Sequence, residues 1–237
     1  MSHQNKWLII PAGGSGLRFG ESIPKQYLSL SGKTVLEHTL SLFLKRHDIA
    51  KVVISLAAND VYFSELAIAK HPKIQTVLGG KTRAESVINA MTWLKEFAAS
   101  NDWVIVHDSV RPCLHVEDLI RLMEVLQDDD VGGILATPVS DTLKLGENNY
   151  IQQTVSRSNV WQALTPQMFR FQKLLQALLL CKEKGLTVTD EASALEAAGC
   201  NPKLVSAKHA NPKLTFEKDL KLIALMLQTL NQEEYCS

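Results

Sequence analysis

Arg18 and Lys25 stand beside a run of small residues in the stretch IIPAGGSGLRFGESIPKQYL, residues 9–28. Glycines there let backbone N–H groups approach phosphate oxygens, and the two cations balance phosphate charge. Arg offers a planar fork and Lys a mobile point charge, a combination suited to a phosphoryl group that changes geometry during transfer. The spacing excludes two common phosphate loops. Gly14 and Gly16 are followed by Gly20, one residue late for a dinucleotide fingerprint. A Walker loop counted from Gly13 would need Gly and Lys where Arg18 and Phe19 stand. A surface loop with solvated cations is the other reading of the same residues.

Three further segments carry candidate chemistry. In HDSVRP, residues 107–112, Asp108 ends an apolar run. Its carboxylate can accept a substrate hydroxyl or approach magnesium, or it can close a turn on Arg111. His107 faces the opposite side of the strand and reads as packing. In GGKTRAESV, Thr82 and Glu85 form a capping box, and Gly79 and Gly80 let the backbone bend closely before the helix. Thr189 reads as an N-cap, with Asp190 and Glu191 at the positive end of the following helix. Lys213 in NPKLTF reads, on its own, as a solvated lysine.

The elements that must position these residues alternate. Short β-branched runs at 7–10, 51–57, 74–78, 103–108 and 132–139 are separated by helical patterns, which implies an α/β chain with a largely parallel sheet covered on both faces. Thr34 and Glu37 open the first helix with another capping box. Parallel sheets bind ligands beyond the carboxyl ends of their strands, so the loops at 11–25, 79–86 and 107–112 rank first. The rhythm breaks at 140–157, where SDTLKLGENNYIQQTVSR reads as a hairpin joined near Gly146 to Asn149. Such a hairpin has no core of its own and is expected to pack on something else. Helices at 170–185 and 189–199, a short strand near 203–206 and a last helix from Glu217 to Leu230 complete the chain. No repeat or linker appears, so residues 1–237 are expected to form a single domain with an arm.

Composition narrows the function classes. With 237 residues, 46% of them hydrophobic, the chain can bury a substantial core. The 25 basic and 25 acidic residues cancel, so no global field recruits nucleic acid or an anionic membrane. Four cysteines without a Cys-x-x-Cys pair imply reduced thiols, no signal peptide is expected of the polar start MSHQNKWLII, and no apolar run approaches membrane length. A soluble, cytoplasmic protein is expected.

The segments PAGGSGLRFG…PKQYL, GGKTRAESV, HDSVRPC, DTLK, SRSNVWQALTPQMF, TDEASALE and NPKLTFEKDL occur in an order that resembles the 2-C-methyl-D-erythritol 4-phosphate cytidylyltransferases, over nearly the whole chain. The resemblance implies a Rossmann-like nucleotidyltransferase α/β fold: a mostly parallel mixed sheet between helices, with a projecting β-hairpin dimerisation arm. It implies a reaction of CTP with a branched sugar-alcohol phosphate that releases pyrophosphate on the way to isoprenoid precursors.

By position, the resemblance makes Arg18 and Lys25 catalytic, stabilising the phosphates in the transition state. Ala12, Gly13, Gly14 and Gly16 would line the nucleotide, Gly80 and Ser86 the base, and Ser109 the ribose. Asp108, Arg111, Thr142, Thr165 and Thr189 would surround methylerythritol phosphate. Arg157 and Lys213 would hold its phosphate for in-line attack, with Arg157 supplied by the neighbouring subunit of a homodimer. No dedicated metal site is implied; magnesium is expected mainly on the CTP phosphates, because the chain offers no carboxylate cage.

Two positions depart from the family pattern, Gly13 in place of a second Ala and Ser109 in place of Ala; both exchanges involve small residues, so the loops should be preserved. Lys81 is assigned no role. A ribitol-phosphate cytidylyltransferase and a catalytically silent nucleotide-binding regulator are the alternatives. The retained Arg18, Lys25, Arg157 and Lys213 argue against the second.

Overall fold

The computed structural model describes the backbone of residues 4–14 and 23–236 and the side chains of those up to residue 230, so Gly16 and Arg18 lie outside the described residues. Eight-residue β4 (Ile49–Leu56) and the shorter β1 (Lys6–Pro11), β5 (Ile74–Leu78) and β6 (Trp103–Val106) run parallel side by side. With β7 (Gly132–Pro138), β10 (Trp161–Arg170) and β11 (Lys203–Ser206) they form a seven-stranded sheet in the order β11-β7-β10-β6-β1-β4-β5. Strand β10 alone is reversed, pairing antiparallel with both β6 and β7. The mixed, mostly parallel sheet expected from the sequence is therefore present.

Period-two alternation divides β1 between two cores. Leu8 and Ile10 join Leu36, Leu40 and Phe43 of α1 (Val35–Leu44) and Leu119 and Leu122 of α3 (Val116–Leu126) on one face. Ile9 joins Val87 and Met91 of α2 (Arg83–Leu94), Leu174 and Leu178 of α4 (Phe171–Glu183), and Ala194 and Leu195 of α5 (Glu191–Ala197) on the other. Burial on both faces is why these strands read as unbroken apolar runs. Helices α1 and α2 open on the capping boxes Thr34–Glu37 and Thr82–Glu85, as expected. Helix α6 (Asp219–Cys236) closes the chain.

Two elements join those expected from the sequence, strand β10 at 161–170 and helix α3, and one cap moves. Helix α5 is capped by Asp190 rather than Thr189: the Asp190 carboxylate accepts the N–H of Ser193, whose hydroxyl occupies the reciprocal position of the box. Thr189 is exposed one residue outside it.

The two-residue strands β2 (Ser29–Leu30) and β3 (Lys33–Thr34) pair antiparallel ahead of α1, and β8 (Leu143–Glu147) and β9 (Tyr150–Val155) form a separate two-stranded hairpin between β7 and β10. Asn148 and Asn149, at φ 51° and 67°, make the two-residue turn that suits right-handed strand twist. The hairpin exposes Leu145, Tyr150 and Ile151.

Candidate active site

Strands β1, β5 and β6 release their loops at one end of the sheet, and the reversed β10 begins there. The first of two adjoining cavities, about 290 Å³, is lined by Gly13, Gly14, Lys25, Gly80, Ser86 and Ser109, among others. The second, about 270 Å³, is lined by Arg111, Leu164, Thr165, Gln167, Thr189 and Asp190, among others. Arg83, Asp108 and Lys213 line both, so they form the wall between them.

The loop into α2 is shaped by its own polar groups. Ser86 Oγ accepts the Gly80 N–H at 3.0 Å and donates to the Thr82 carbonyl at 2.9 Å. A Cβ on Gly80 would lie 2.2 Å from Glu85 Cβ and 2.9 Å from its carbonyl carbon, so only glycine lets the loop close on the first helical turn. The Ser86 hydroxyl, in the lining of the first cavity, has spent its donor and can accept one further hydrogen bond.

Asp108 is the electrostatic centre. Its Oδ1 accepts Arg83 Nε at 3.1 Å, while Oδ2 faces Lys213 Nζ at 2.9 Å and Arg111 Nε at 3.3 Å. Burial opposes ionisation, but the Arg83, Lys213 and Arg111 charges together hold its carboxyl well below the usual carboxylate range. The Arg83 fork is bidentate to Glu191, Nη1 to Oε1 at 2.7 Å and Nη2 to Oε2 at 3.0 Å. Glu191 is fully buried and Arg83 is held strongly as a cation. Two carboxylates therefore meet three cations, leaving one net positive charge at the wall, which favours anions on either side. The Lys213 segment is tied in place by the Leu214 N–H to the Val110 carbonyl, 2.9 Å, and by Arg111 Nη1 to the Asn211 carbonyl, 2.6 Å.

His107 lies behind this wall, fully buried, with its pKa lowered to about 4 chiefly by burial. Its Nε2 lies 3.1 Å from the Arg111 carbonyl, which assigns the proton there. Nδ1 then accepts the Thr165 hydroxyl at 3.1 Å, and that same hydroxyl accepts the Asp108 N–H. Thr165 thus fixes β10 to the end of β6 and has no donor left for a ligand.

The chain matches known proteins over nearly its whole length. The family model for 2-C-methyl-D-erythritol 4-phosphate cytidylyltransferase matches residues 7–229. The chain belongs to this family. A relative of that name from Wigglesworthia glossinidia brevipalpis is 40% identical over 232 residues, 98% of this chain and 100% of the relative. One from Pseudomonas putida (strain W619) is 48% identical over 217 residues, 91% of this chain and 92% of the relative. The solved Francisella tularensis structure of that name has a TM-score of 0.82 at 37% identity, covering 94% of this chain and 99% of that one. The Thermus thermophilus structure has a TM-score of 0.78 at 29% identity, with coverages of 94% and 99%. The fold is the Rossmann-like nucleotidyltransferase fold of these cytidylyltransferases.

In this cytidylyltransferase-family chain, Gly13, Gly14, Lys25, Gly80, Ser86, Ser109, Asp108, Arg111, Thr165, Thr189 and Lys213 border one or both cavities. Ala12 does not: it is core, its N–H bonded to the Ser55 carbonyl and its carbonyl to Gln26 Nε2. Thr142 and Arg157 are exposed at the base of the hairpin and line neither cavity; Arg157 Nη1 donates to the Ser140 carbonyl. Gly16 and Arg18 lie outside the described residues. Arg83, Glu191 and Gln167 were missed. Arg83 sits inside GGKTRAESV, and its signal was a cation within the candidate loop at 79–86.

Two other features lie apart from this site. A cavity of about 530 Å³, lined by Lys6, Arg46, Asp48 and Trp103 among others, opens where β1 and β6 begin. Its Arg46 is closed on Asp48 at 2.8 and 2.9 Å. His115, Glu117 and His209 bring donor atoms within 4.8 Å of one another. The two imidazoles stack face to face, centroids 3.7 Å apart at 18°, so their in-plane lone pairs run side by side instead of converging on one ion.

Proposed function

We propose that this protein joins CTP to 2-C-methyl-D-erythritol 4-phosphate, giving 4-diphosphocytidyl-2-C-methyl-D-erythritol and pyrophosphate for isoprenoid biosynthesis. The observation that carries the reading is the cationic wall of Arg83, Asp108 and Lys213 shared by two cavities. An acceptor phosphate oxygen attacks the α-phosphorus across it, and the bond from that phosphorus to the bridging oxygen of pyrophosphate breaks. The nucleophile is already anionic, so no covalent enzyme intermediate or general base is required. The obstacle is bringing anions together in line, and cations with fixed positions lower it.

Lys25, on the nucleotide cavity, and Arg18 stabilise the phosphates of CTP, and Lys213 reaches the acceptor phosphate from the shared wall. Gly13 and Gly14 give the nucleotide close backbone contact, and Ser109 faces the ribose. The remaining Ser86 lone pair suits the amino group of cytosine. Asp108 and Arg111 meet the acceptor, Thr189 borders it from α5, and Thr165 supplies at most an accepting oxygen. Among the described residues lining the nucleotide cavity, Asp108 is the only carboxylate and is already held by three cations. That donor set fits magnesium carried by CTP phosphate oxygens and water. Bound there, magnesium would supply positive charge to the CTP phosphates.

Pyrophosphate release tests the donor. With methylerythritol phosphate present, CTP is expected to exceed ATP and GTP strongly, because larger bases clash with the Gly80–Ser86 loop. Equal use of ATP would overturn the base assignment.

A homodimer completes the site. The hairpin exposes Leu145, Tyr150 and Ile151 and carries Thr142 and Arg157, which its own cavities do not use. These residues then serve the neighbouring subunit. Lys25→Ala and Arg157→Ala subunits, each nearly inactive alone, are expected to complement when refolded together. Half the dimers are mixed and one site in each mixed dimer is intact, so activity should approach roughly a quarter of wild type for independent sites. Activity at the single-variant level, with mixed dimers shown to form, would place Arg157 in its own subunit's site.

No helix among the described residues is long and apolar enough to cross a membrane. The cytoplasm is the compartment proposed, in keeping with free Cys113, Cys181 and Cys200.

A further inference from the structure

We propose that Arg83 and Glu191 are a positioning pair that aims the Asp108 carboxylate at the acceptor; the inference rests on the cytidylyltransferase reading above. Arg83 opens α2, directly after the nucleotide loop, and Glu191 opens α5, beside the acceptor cavity. All three guanidinium nitrogens are committed to carboxylates: Nη1 and Nη2 to Glu191 at 2.7 and 3.0 Å, Nε to Asp108 at 3.1 Å. A fork locked at its far end can hold a carboxylate only along its Nε edge.

Glu191 is completely buried, whereas the Arg83 side chain retains 27% exposure where it lines both cavities. Asp108 Oδ1 is thus fixed by Arg83, which leaves Oδ2 turned to Lys213 and Arg111. Without Glu191, the Arg83 fork would be released beside sites built for phosphate. Glu191 therefore does two things: it sets the direction of Asp108, and it keeps a strong bidentate anion binder off the substrates. The pair also joins the helix bordering the nucleotide to the helix bordering the acceptor, across 108 residues of chain.

The charged and titratable groups around Asp108 are Arg83 from α2, Arg111 from its own loop, Lys213 beyond β11, Glu191 behind Arg83, and His107 on the adjoining strand position. Arg83→Lys keeps the charge but cannot hold Glu191 bidentately and Asp108 together. It is expected to raise KM for methylerythritol phosphate roughly tenfold or more while KM for CTP changes much less. Arg83→Met/Glu191→Leu replaces the buried pair by apolar groups, so the fold is expected to survive, yet kcat/KM for the acceptor should fall about 10²-fold.

Carboxyl ¹³C NMR of Asp108 supplies a readout that needs no substrate. Its titration should move to higher pH in both variants, because a fixed cation has been weakened or lost. An unmoved titration, or a folded double variant with wild-type kcat/KM for the acceptor, would overturn the positioning role. Equal losses for both substrates would overturn its assignment to the acceptor side. Absence of turnover by the wild-type enzyme with methylerythritol phosphate would count against the parent reading instead, and the NMR titration would still decide the pair.

Discussion

Lys25→Ala is expected to lower turnover about 10²- to 10³-fold, the usual cost of deleting one preorganised charge donor, with little change in the unfolding midpoint. Lys25 begins a single 3₁₀ turn, Lys25–Tyr27, whose anchors are the two residues after it. Gln26 Nε2 donates to the Ala12 carbonyl at 2.9 Å, and the Tyr27 hydroxyl donates to Asp60 at 2.6 Å. Tyr27 is also part of the core. Truncating Lys25 removes a charge from the nucleotide cavity and leaves those anchors in place. Steady-state kinetics beside thermal unfolding checks both halves; near-normal turnover would remove Lys25 from the catalytic role.

Asp108→Asn should be costly for stability as well as activity. It leaves Arg83, Arg111 and Lys213 around a neutral amide, and breaking a buried ion pair from one side typically costs about 3–5 kcal/mol. Urea unfolding as a function of pH separates this from general damage. The folded carboxyl has a depressed pKa, so its contribution is present above the unfolded value of about 3.9 and is lost as pH falls through the folded value. His107 acts in another window. Its folded pKa of about 4 lies below an unfolded value of about 6.5. The unfolded chain therefore takes up a proton between these values that the folded chain does not, and stability falls by roughly 1.4 kcal/mol per pH unit there. Wild type is expected to lose stability in both windows. Asp108→Asn should keep the loss between about pH 6.5 and 4 and show a smaller further loss below it, the part that remains coming from carboxylates such as Asp48, Asp129 and Asp219 that their own partners hold low. An acid profile identical to wild type would contradict the ion-pair account.

Where a local rule and the tertiary structure agree, the elements could be read directly. The strands β1, β4, β6 and β7 are buried on both faces and show it as apolar runs, and the boxes at Thr34 and Thr82 announce α1 and α2. Strand β10 was hidden because Gln162, Thr165, Pro166 and Gln167 break its pattern, and the register indeed shifts between Ala163 and Gln167. The polar Gln167 is tolerated in the core because α5 meets it: its Nε2 donates to Asp190 at 2.8 Å and its Oε1 accepts the Ala192 N–H at 3.1 Å. That partner set cannot be inferred from neighbours in sequence.

The site divides in the same way. The glycine loops and Asp108 carried local signals of close approach and charge. Lys213 did not, since only the Leu214–Val110 bond and its 2.9 Å contact with Asp108 distinguish it from a solvated lysine. Glu191 had a sufficient local explanation as an acid in the first turn of a helix, and that explanation concealed its pairing with Arg83. At the same helix, Thr189 reads as the cap and Asp190 as an acid at the positive helix end. The position of Ser193 decided for Asp190.

The acceptor is the sharpest point of the account. Purified protein incubated with CTP and magnesium, and with methylerythritol phosphate, ribitol phosphate or no acceptor, can be followed by ³¹P NMR. The predicted result is a pair of coupled diphosphodiester resonances, together with an equal amount of pyrophosphate, appearing rapidly with methylerythritol phosphate. Without an acceptor CTP should persist, and with ribitol phosphate conversion should be far slower. Preferential conversion of ribitol phosphate, or pyrophosphate released at the same rate with no acceptor present, would contradict it.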